Sequence, residues 1–231
     1  MSQQHLSLQA PSSARFESFW PGPNAAALQA VQDFALNDED GQYLLLGPHS
    51  SGKSHLAQAC CRARWEAGRQ ATYFDLADAP LRPEALDGFS PGGLLVIDGL
   101  QAMRPEDEMT VLRLIDRSRA AAGKLLLCAS DWPDQLAIET PDLRSRLQWG
   151  AMLELRLMDE QDLAAMLQHR AKLLGARLEP RVAEFLLRRL PRRPGALIDA
   201  LEQGFQRAVD TGRQLTVPLL REILEQAAQA P

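Results

Sequence analysis

The octapeptide Gly47-Pro48-His49-Ser50-Ser51-Gly52-Lys53-Ser54 sets two glycines, a lysine and a hydroxyl at the spacing G-x-x-x-x-G-K-[ST]. Glycines let the backbone curl so that successive N–H groups point inward at an anion. A helix starting at the end of such a loop adds the positive end of its dipole. A lysine at the place of Lys53 reaches the β- and γ-phosphates of a nucleotide, and a hydroxyl at Ser54 ligands Mg²⁺. A glycine turn before an ordinary helix has the same local look, but an apolar run precedes this loop and a helical pattern follows it. The expected nucleotide-binding set therefore runs Gly47, Pro48, His49, Ser50, Ser51, Gly52, Lys53, Ser54 and His55. His49 fills a position that the motif leaves free, and His55 reads as a packing or capping histidine.

A second acid is needed downstream. Asp98 closes the run "LLVID", and a carboxylate at the tip of a buried strand beside a phosphate loop holds Mg²⁺ through water. The residue after it is Gly99. Many phosphate-loop ATPases carry an acid there to orient the attacking water, and glycine has no side chain to do so. Slow intrinsic hydrolysis is expected, unless Gln101 or a partner's residue substitutes.

The elements that must position these groups follow from hydrophobic periodicity. Apolar runs at 42–47, 71–76, 92–98, 124–130 and 151–156 read as strands. Between them, Leu28, Val31 and Phe34 (after a cap at Asn24), then Leu56, Ala59, Cys60, Ala63 and Ala67, then residues 106–121, read as helices. Alternating strands and helices imply α/β, with a five-stranded parallel sheet covered on both faces. From Met158 everything reads as helical. One apolar face carries Leu163, Met166, Leu167 and Leu174, with Gly175 as a stop. Further helices start at Pro180 (aligning Val182, Phe185, Leu186 and Leu190), near Pro194 (Leu197, Leu201, Phe205, Ala208) and at a Thr216 cap. The expected organisation is a tail over 1–14, an α/β nucleotide-binding domain over 15–157 and a small all-helical lid over 158–231.

Bulk properties narrow the class. The 231 residues carry a formal net charge of −5 and are 45% hydrophobic, enough for a real core. Mild acidity argues against a dedicated nucleic-acid binder. Cys60, Cys61 and Cys128 have neither disulfide nor metal-ligand spacing, which reads as a reduced, cytoplasmic protein. Cys128, Trp132 and Trp149 read as packing residues. No apolar run approaches the roughly 20 residues of a membrane span, and no membrane partner is expected.

At this point the chain resembles the AAA+ family, and within it the DnaA replication-initiator group, over nearly all of residues 15–229. The resemblance is greatest to the Hda-type regulators of the initiator. "FESFWPGPN" is similar to the segment bordering the adenine pocket of these proteins, "GPHSSGKSHLAQA" to their Walker A loop and "LLVIDGLQ" to their Walker B. "CASDWP" resembles the sensor 1 stretch, which implies Ser130 and Asp131 near the γ-phosphate. "PDLRSRLQWG" resembles the segment carrying the arginine finger, which implies Arg146 acting in trans, in the loop region between strands four and five. "LPRRPGAL" resembles the sensor 2 segment, which implies Arg192 at the start of a lid helix, with Arg193 beside it as the alternative. Taken alone, these arginines read as solvated charges; the resemblance singles them out.

Two features set the chain apart from a full initiator. It stops directly after the helical lid, so a DNA-reading helix-turn-helix domain is not expected. The tail reads "QQHLSL", in which Gln3, Leu6 and Leu8 fit Q-x-x-L-x-L, similar to a motif that docks on the DNA polymerase III sliding clamp. A short segment with one polar hook and two apolar anchors suits a small surface pocket. The resemblance then implies a protein that binds ADP or ATP with Mg²⁺, sits on the DNA-loaded clamp (and so meets DNA indirectly, at the nucleoid), and triggers hydrolysis of DnaA-bound ATP. It also admits homo-oligomers. The alternatives weighed are a helicase-loader-type ATPase acting on single-stranded DNA and an adaptor that binds DnaA without using Arg146.

Overall fold

The structure is a computed structural model that describes residues 14–81 and 83–229, without the side chains of 227–229. The tail residues Gln3, Leu6 and Leu8 lie outside the described residues. The chain divides into two compact units, between Leu157 and Met158.

In the first unit five strands, β1 (Gly41–Leu46), β2 (Ala71–Asp75), β3 (Leu94–Asp98), β4 (Lys124–Ala129) and β5 (Ala151–Glu154), form one parallel sheet in the order β2-β3-β4-β1-β5. Every residue of β3 and β4 is buried, which explains why both read as continuous apolar runs: a parallel sheet with helices on each face has no wet side. Side chains alternate between faces. Leu44, Leu95, Ile97, Leu125 and Leu127 join one cluster with Leu114 and Ile115 of α4 (Glu108–Ala120) and with Leu143 and Leu147 of α5 (Pro141–Leu147). Leu45, Val96, Leu126 and Cys128 join the opposite cluster with Val31 and Phe34 of α1 (Ala25–Leu36) and with Leu56 and Cys60 of α2 (Lys53–Glu66). A further single turn, α3 (Ala85–Gly88), precedes β3. The order of strands reverses around β1, so the crevice beyond the carboxyl ends of β1 and β4 is where such sheets take ligands.

Asn24 does not cap α1. It precedes the helix without a side-chain cap bond. Its amide instead donates to the Arg156 carbonyl at 3.0 Å and accepts from the Arg156 N–H at 2.8 Å. A buried amide with both groups matched to one residue's backbone satisfies more of its bonding capacity than a single cap bond does.

The second unit consists of α6 (Glu160–Leu173), α7 (Pro180–Arg189), α8 (Pro194–Asp210) and α9 (Val217–Gln229). Leu163, Met166, Leu167, Val182, Leu186, Leu197, Leu201, Leu219 and Leu220 are buried. Asp159 caps α6 by accepting from the Asp162 N–H at 2.8 Å. Gly175 ends it at φ +73, and the Ala176 N–H closes the turn on Ala171. Leu174 is 45% exposed rather than on the buried face, because the helical path has already ended there. Phe185, Leu190 and Phe205 are only partly buried, at the margins of their helices. Among the described residues no helix is long and apolar enough to cross a membrane.

Candidate functional site

β1 delivers the chain into the phosphate loop at Gly47. A Cβ there would lie 2.5 Å from the Leu155 carbonyl oxygen and 2.9 Å from Ser51 Oγ, so only glycine lets β1 turn this close to the segment after β5. Gly52 lies at φ +102, and a Cβ on it would meet Phe19 Cε2 at 2.7 Å. Phe19 thus closes over the loop, and its ring lies 5.6 Å from that of His55. His55 Nε2 stands 2.9 Å from the Arg15 carbonyl and 3.2 Å from Ser18 Oγ. Placed on the first turn of α2, His55 ties that helix to segment 15–19, which is a packing role.

Lys53 is 8% exposed. Its ammonium donates to the Gly47 carbonyl at 2.6 Å and to the Pro48 carbonyl at 3.0 Å, folded into the loop it belongs to. Burial pushes it below the ordinary lysine range, and the negative charges of Asp98 and Asp131 oppose that shift. Ser51 Oγ is buried without a hydrogen-bond partner among the described residues, while Ser54 is exposed. A buried cation, an unpartnered hydroxyl and a loop whose two glycine positions leave no room for a Cβ fit an anionic phosphate chain. The adjoining cavity measures about 440 Å³ and is lined by Leu46, Gly47, Pro48, His49, Ser130, Asp131, Trp132 and Glu154. Trp132 is 49% exposed on this wall rather than packed in the core. Its place two residues past Ser130, just beyond the end of β4, was a signal for that.

Ser130 Oγ donates to Asp131 Oδ2 at 2.6 Å, and the Ser130 N–H donates to Gln101 Oε1 at 3.1 Å. The amide oxygen of Gln101 is therefore engaged in holding the end of β4. Asp98 is 3% exposed at the tip of β3. It accepts from the Gly99 N–H at 2.8 Å and from the Tyr73 hydroxyl at 2.7 Å. Tyr73, on β2, was not singled out by sequence reasoning. Burial first, and then the charge of Asp98, push its hydroxyl well above the usual range, so it stays a donor to that carboxylate. Asp98 and Ser54 are the residues that would hold a divalent ion bound mainly by phosphate oxygens. Among the described residues no cluster of three or more His, Cys, Asp or Glu forms a protein-only metal site.

Gly99 adopts φ +75. A Cβ at this position would sit 3.2 Å from Asp75 Oδ1 and 3.4 Å from the Ala77 nitrogen. A side chain here would start toward the end of β2, beside a second carboxylate. Gly99→Glu is therefore expected to lower stability by about 1–3 kcal/mol and to leave ATP turnover unchanged, as urea unfolding and phosphate release will report. A gain in turnover would show that the absent acid alone limits hydrolysis.

Arg146 is not on a loop tip. It lies in the last turn of α5 and is half-buried. Its Nε donates to Asp116 Oδ1 at 2.8 Å, and its guanidinium carbon stands 4.2 Å from the Trp149 ring centroid. The sequence "TPD" starts a helix with Pro141 at its first position, and the helix runs far enough to take in Arg146. Gln42 of β1 holds the backbone here, its amide donating to the carbonyls of Arg146 (2.8 Å) and Trp149 (2.6 Å). Arg192 and Arg193 belong to the second unit. Arg193 is the cap position of α8, so Arg192 stands before the helix rather than beginning it, and pairs with Glu160 at 2.6 Å.

Residues 159–224 match the family profile described as the Hda lid domain. Domain III of the replication initiation protein DnaA from Thermotoga maritima superposes with a TM-score of 0.76 at 18% identity, over 96% of this chain and 99% of that one. AMPPCP-bound DnaA from Aquifex aeolicus superposes at 0.68 and 17% identity, over 84% of this chain and 65% of that one; the chain thus spans just under two thirds of that DnaA. The RuvB Holliday junction branch migration motor from Thermotoga maritima superposes at 0.64 and 17% identity, over 91% of this chain and 73% of that one. The first unit thus has the parallel-sheet fold of these proteins, and the second matches the Hda lid domain.

Proposed function

We propose that this protein binds ADP or ATP with Mg²⁺ and uses the nucleotide to hold a shape, while Arg146 acts on ATP bound by DnaA. The observation that carries this reading is Gly99: a phosphate cradle complete in its binding groups is followed, after Asp98, by a residue with no side chain, whose Cβ position faces Asp75 and the Ala77 nitrogen. The AMPPCP seen in Aquifex aeolicus DnaA supports a nucleotide here.

The loop N–H groups and Lys53 would grip the phosphates, with Lys53 exchanging its bonds to the Gly47 and Pro48 carbonyls for phosphate oxygens. Mg²⁺, when bound, neutralises charge on the β- and γ-phosphates. Ser54 and, through water, Asp98 would hold it. Ser130 and Asp131 line the same cavity and would read the γ-phosphate end. Arg192 would act as sensor 2 from the lid. In trans, Arg146 presents a planar, cationic fork of donors. Supplied to a partner's γ-phosphate, it would stabilise the charge that develops in the transition state. Through Gln3, Leu6 and Leu8 the chain would dock on the sliding clamp, so that it meets DnaA only after the clamp is loaded on DNA. The outcome is DnaA left with ADP and initiation not repeated.

The test is single-turnover hydrolysis of ATP pre-bound to DnaA, with DNA-loaded clamp, on adding this protein with ADP. Stimulation is expected with the loaded clamp and not without it. No stimulation, with single-stranded DNA binding instead, would move the protein to helicase loading.

A further inference from the structure

The segment that carries Arg146 is built in two unlike parts. Its backbone is fixed: Gln42, 5% exposed on β1, donates to carbonyls on both sides of the turn that follows α5. Gly150 seals this arrangement, since a Cβ on it would lie 2.1 Å from the Gln42 carbonyl oxygen. The Arg146 side chain is held differently. Its ion pair with Asp116 joins groups 29% and 48% exposed, and its other contact is the face of Trp149, which Arg119 also covers at 3.7 Å. Solvent-exposed ion pairs and stacked guanidiniums are weak and reversible. The backbone is held by hydrogen bonds from the buried Gln42 amide, whereas the guanidinium can leave at little cost.

We propose that Asp116 is a stowing counter-ion for Arg146: it holds the guanidinium against Trp149 until a phosphate group of a nucleoside triphosphate on a second protein takes it. The inference rests on the reading of Arg146 as a finger in trans. Asp116 is a carboxylate with one formal charge, and a triphosphate terminus offers more charge and the bidentate geometry a guanidinium prefers. The stowed state withholds the residue from weaker anions. Its population lowers apparent affinity for the target by the fraction that is stowed.

The test is the DnaA-ATP hydrolysis assay, titrated with wild type, Asp116→Ala, Asp116→Asn and Arg146→Ala. Asp116→Ala should lower the half-saturating concentration about two- to fivefold and leave the maximal rate unchanged. Asp116→Asn keeps an acceptor without the charge and should fall between. In the protein alone, the Arg146 Nε–H should exchange faster with water in Asp116→Ala than in wild type. A reduced maximal rate in Asp116→Ala would overturn stowing, since Asp116 would then be aligning Arg146 for the reaction. Unchanged titration and exchange would overturn it too. Full activity of Arg146→Ala would instead remove the finger reading beneath it, whatever the Asp116 variants do.

Discussion

Arg146→Ala is expected to reduce the stimulated hydrolysis of DnaA-bound ATP by about 10³-fold or more. The size follows from what a finger supplies. A guanidinium placed at the developing charge acts in a site shielded from water, where each donor counts for far more than on a surface. The same substitution should barely touch the fold. It removes one half-exposed ion pair with Asp116 and one contact with Trp149, each worth about 1 kcal/mol or less. The backbone of the segment keeps its bonds to Gln42. Arg146→Lys retains charge without the planar fork and should recover only a small part of the rate. A variant that is folded, docks on the clamp and is inactive is thus the expected result. Wild-type stimulation by Arg146→Ala would leave an adaptor that brings DnaA to the clamp without chemistry of its own.

Lys53→Ala is expected to weaken ADP and ATP binding by about 10²-fold or more, the scale for removing one partner of a buried charge pair. Lys53 is nearly inaccessible and already held within the loop, so its ammonium would pass from the loop carbonyls to the phosphates with little ordering cost. Its burial lowers its own pKa, which means that the folded protein carries this charge at a cost and loses that cost with it. Removal also strips donors from the Gly47 and Pro48 carbonyls, at about 0.5–1.5 kcal/mol each. The two effects oppose, so the melting temperature of the nucleotide-free protein should move little. The rise in melting temperature on adding a given concentration of ADP should shrink, because stabilisation by a ligand follows the logarithm of its concentration over Kd. Titration calorimetry and melting curves with and without ADP read both. Undiminished affinity in Lys53→Ala would mean that the loop is not the cradle.

Much of this protein is written locally. β3 and β4 are legible as strands because helices cover both faces of the sheet, leaving no polar position to interrupt "LLVI" and "LLLCA". The phosphate loop is legible because its demands fall within eight consecutive residues: glycines where Leu155 and Phe19 leave no room, and a lysine at the first helical position. The lid helices are legible from their prolines at the first position and from Gly175 past the end of α6. Other features depend on which strand lies beside which. Tyr73 meets Asp98 across 25 residues because β2 pairs with β3. Gln42 reaches the Trp149 carbonyl across 107 residues because β1 pairs with β5. Asn24 commits its amide to Arg156, 132 residues away, rather than to its own helix. Asp116 finds Arg146 only when α4 and α5 pack on the same face of the sheet. Periodicity reports which side of an element is apolar, and that suffices to form the element and choose its buried face. A hydrogen bond between two polar side chains needs both placed within about 3 Å, and that placement exists only once strand order and helix packing are complete.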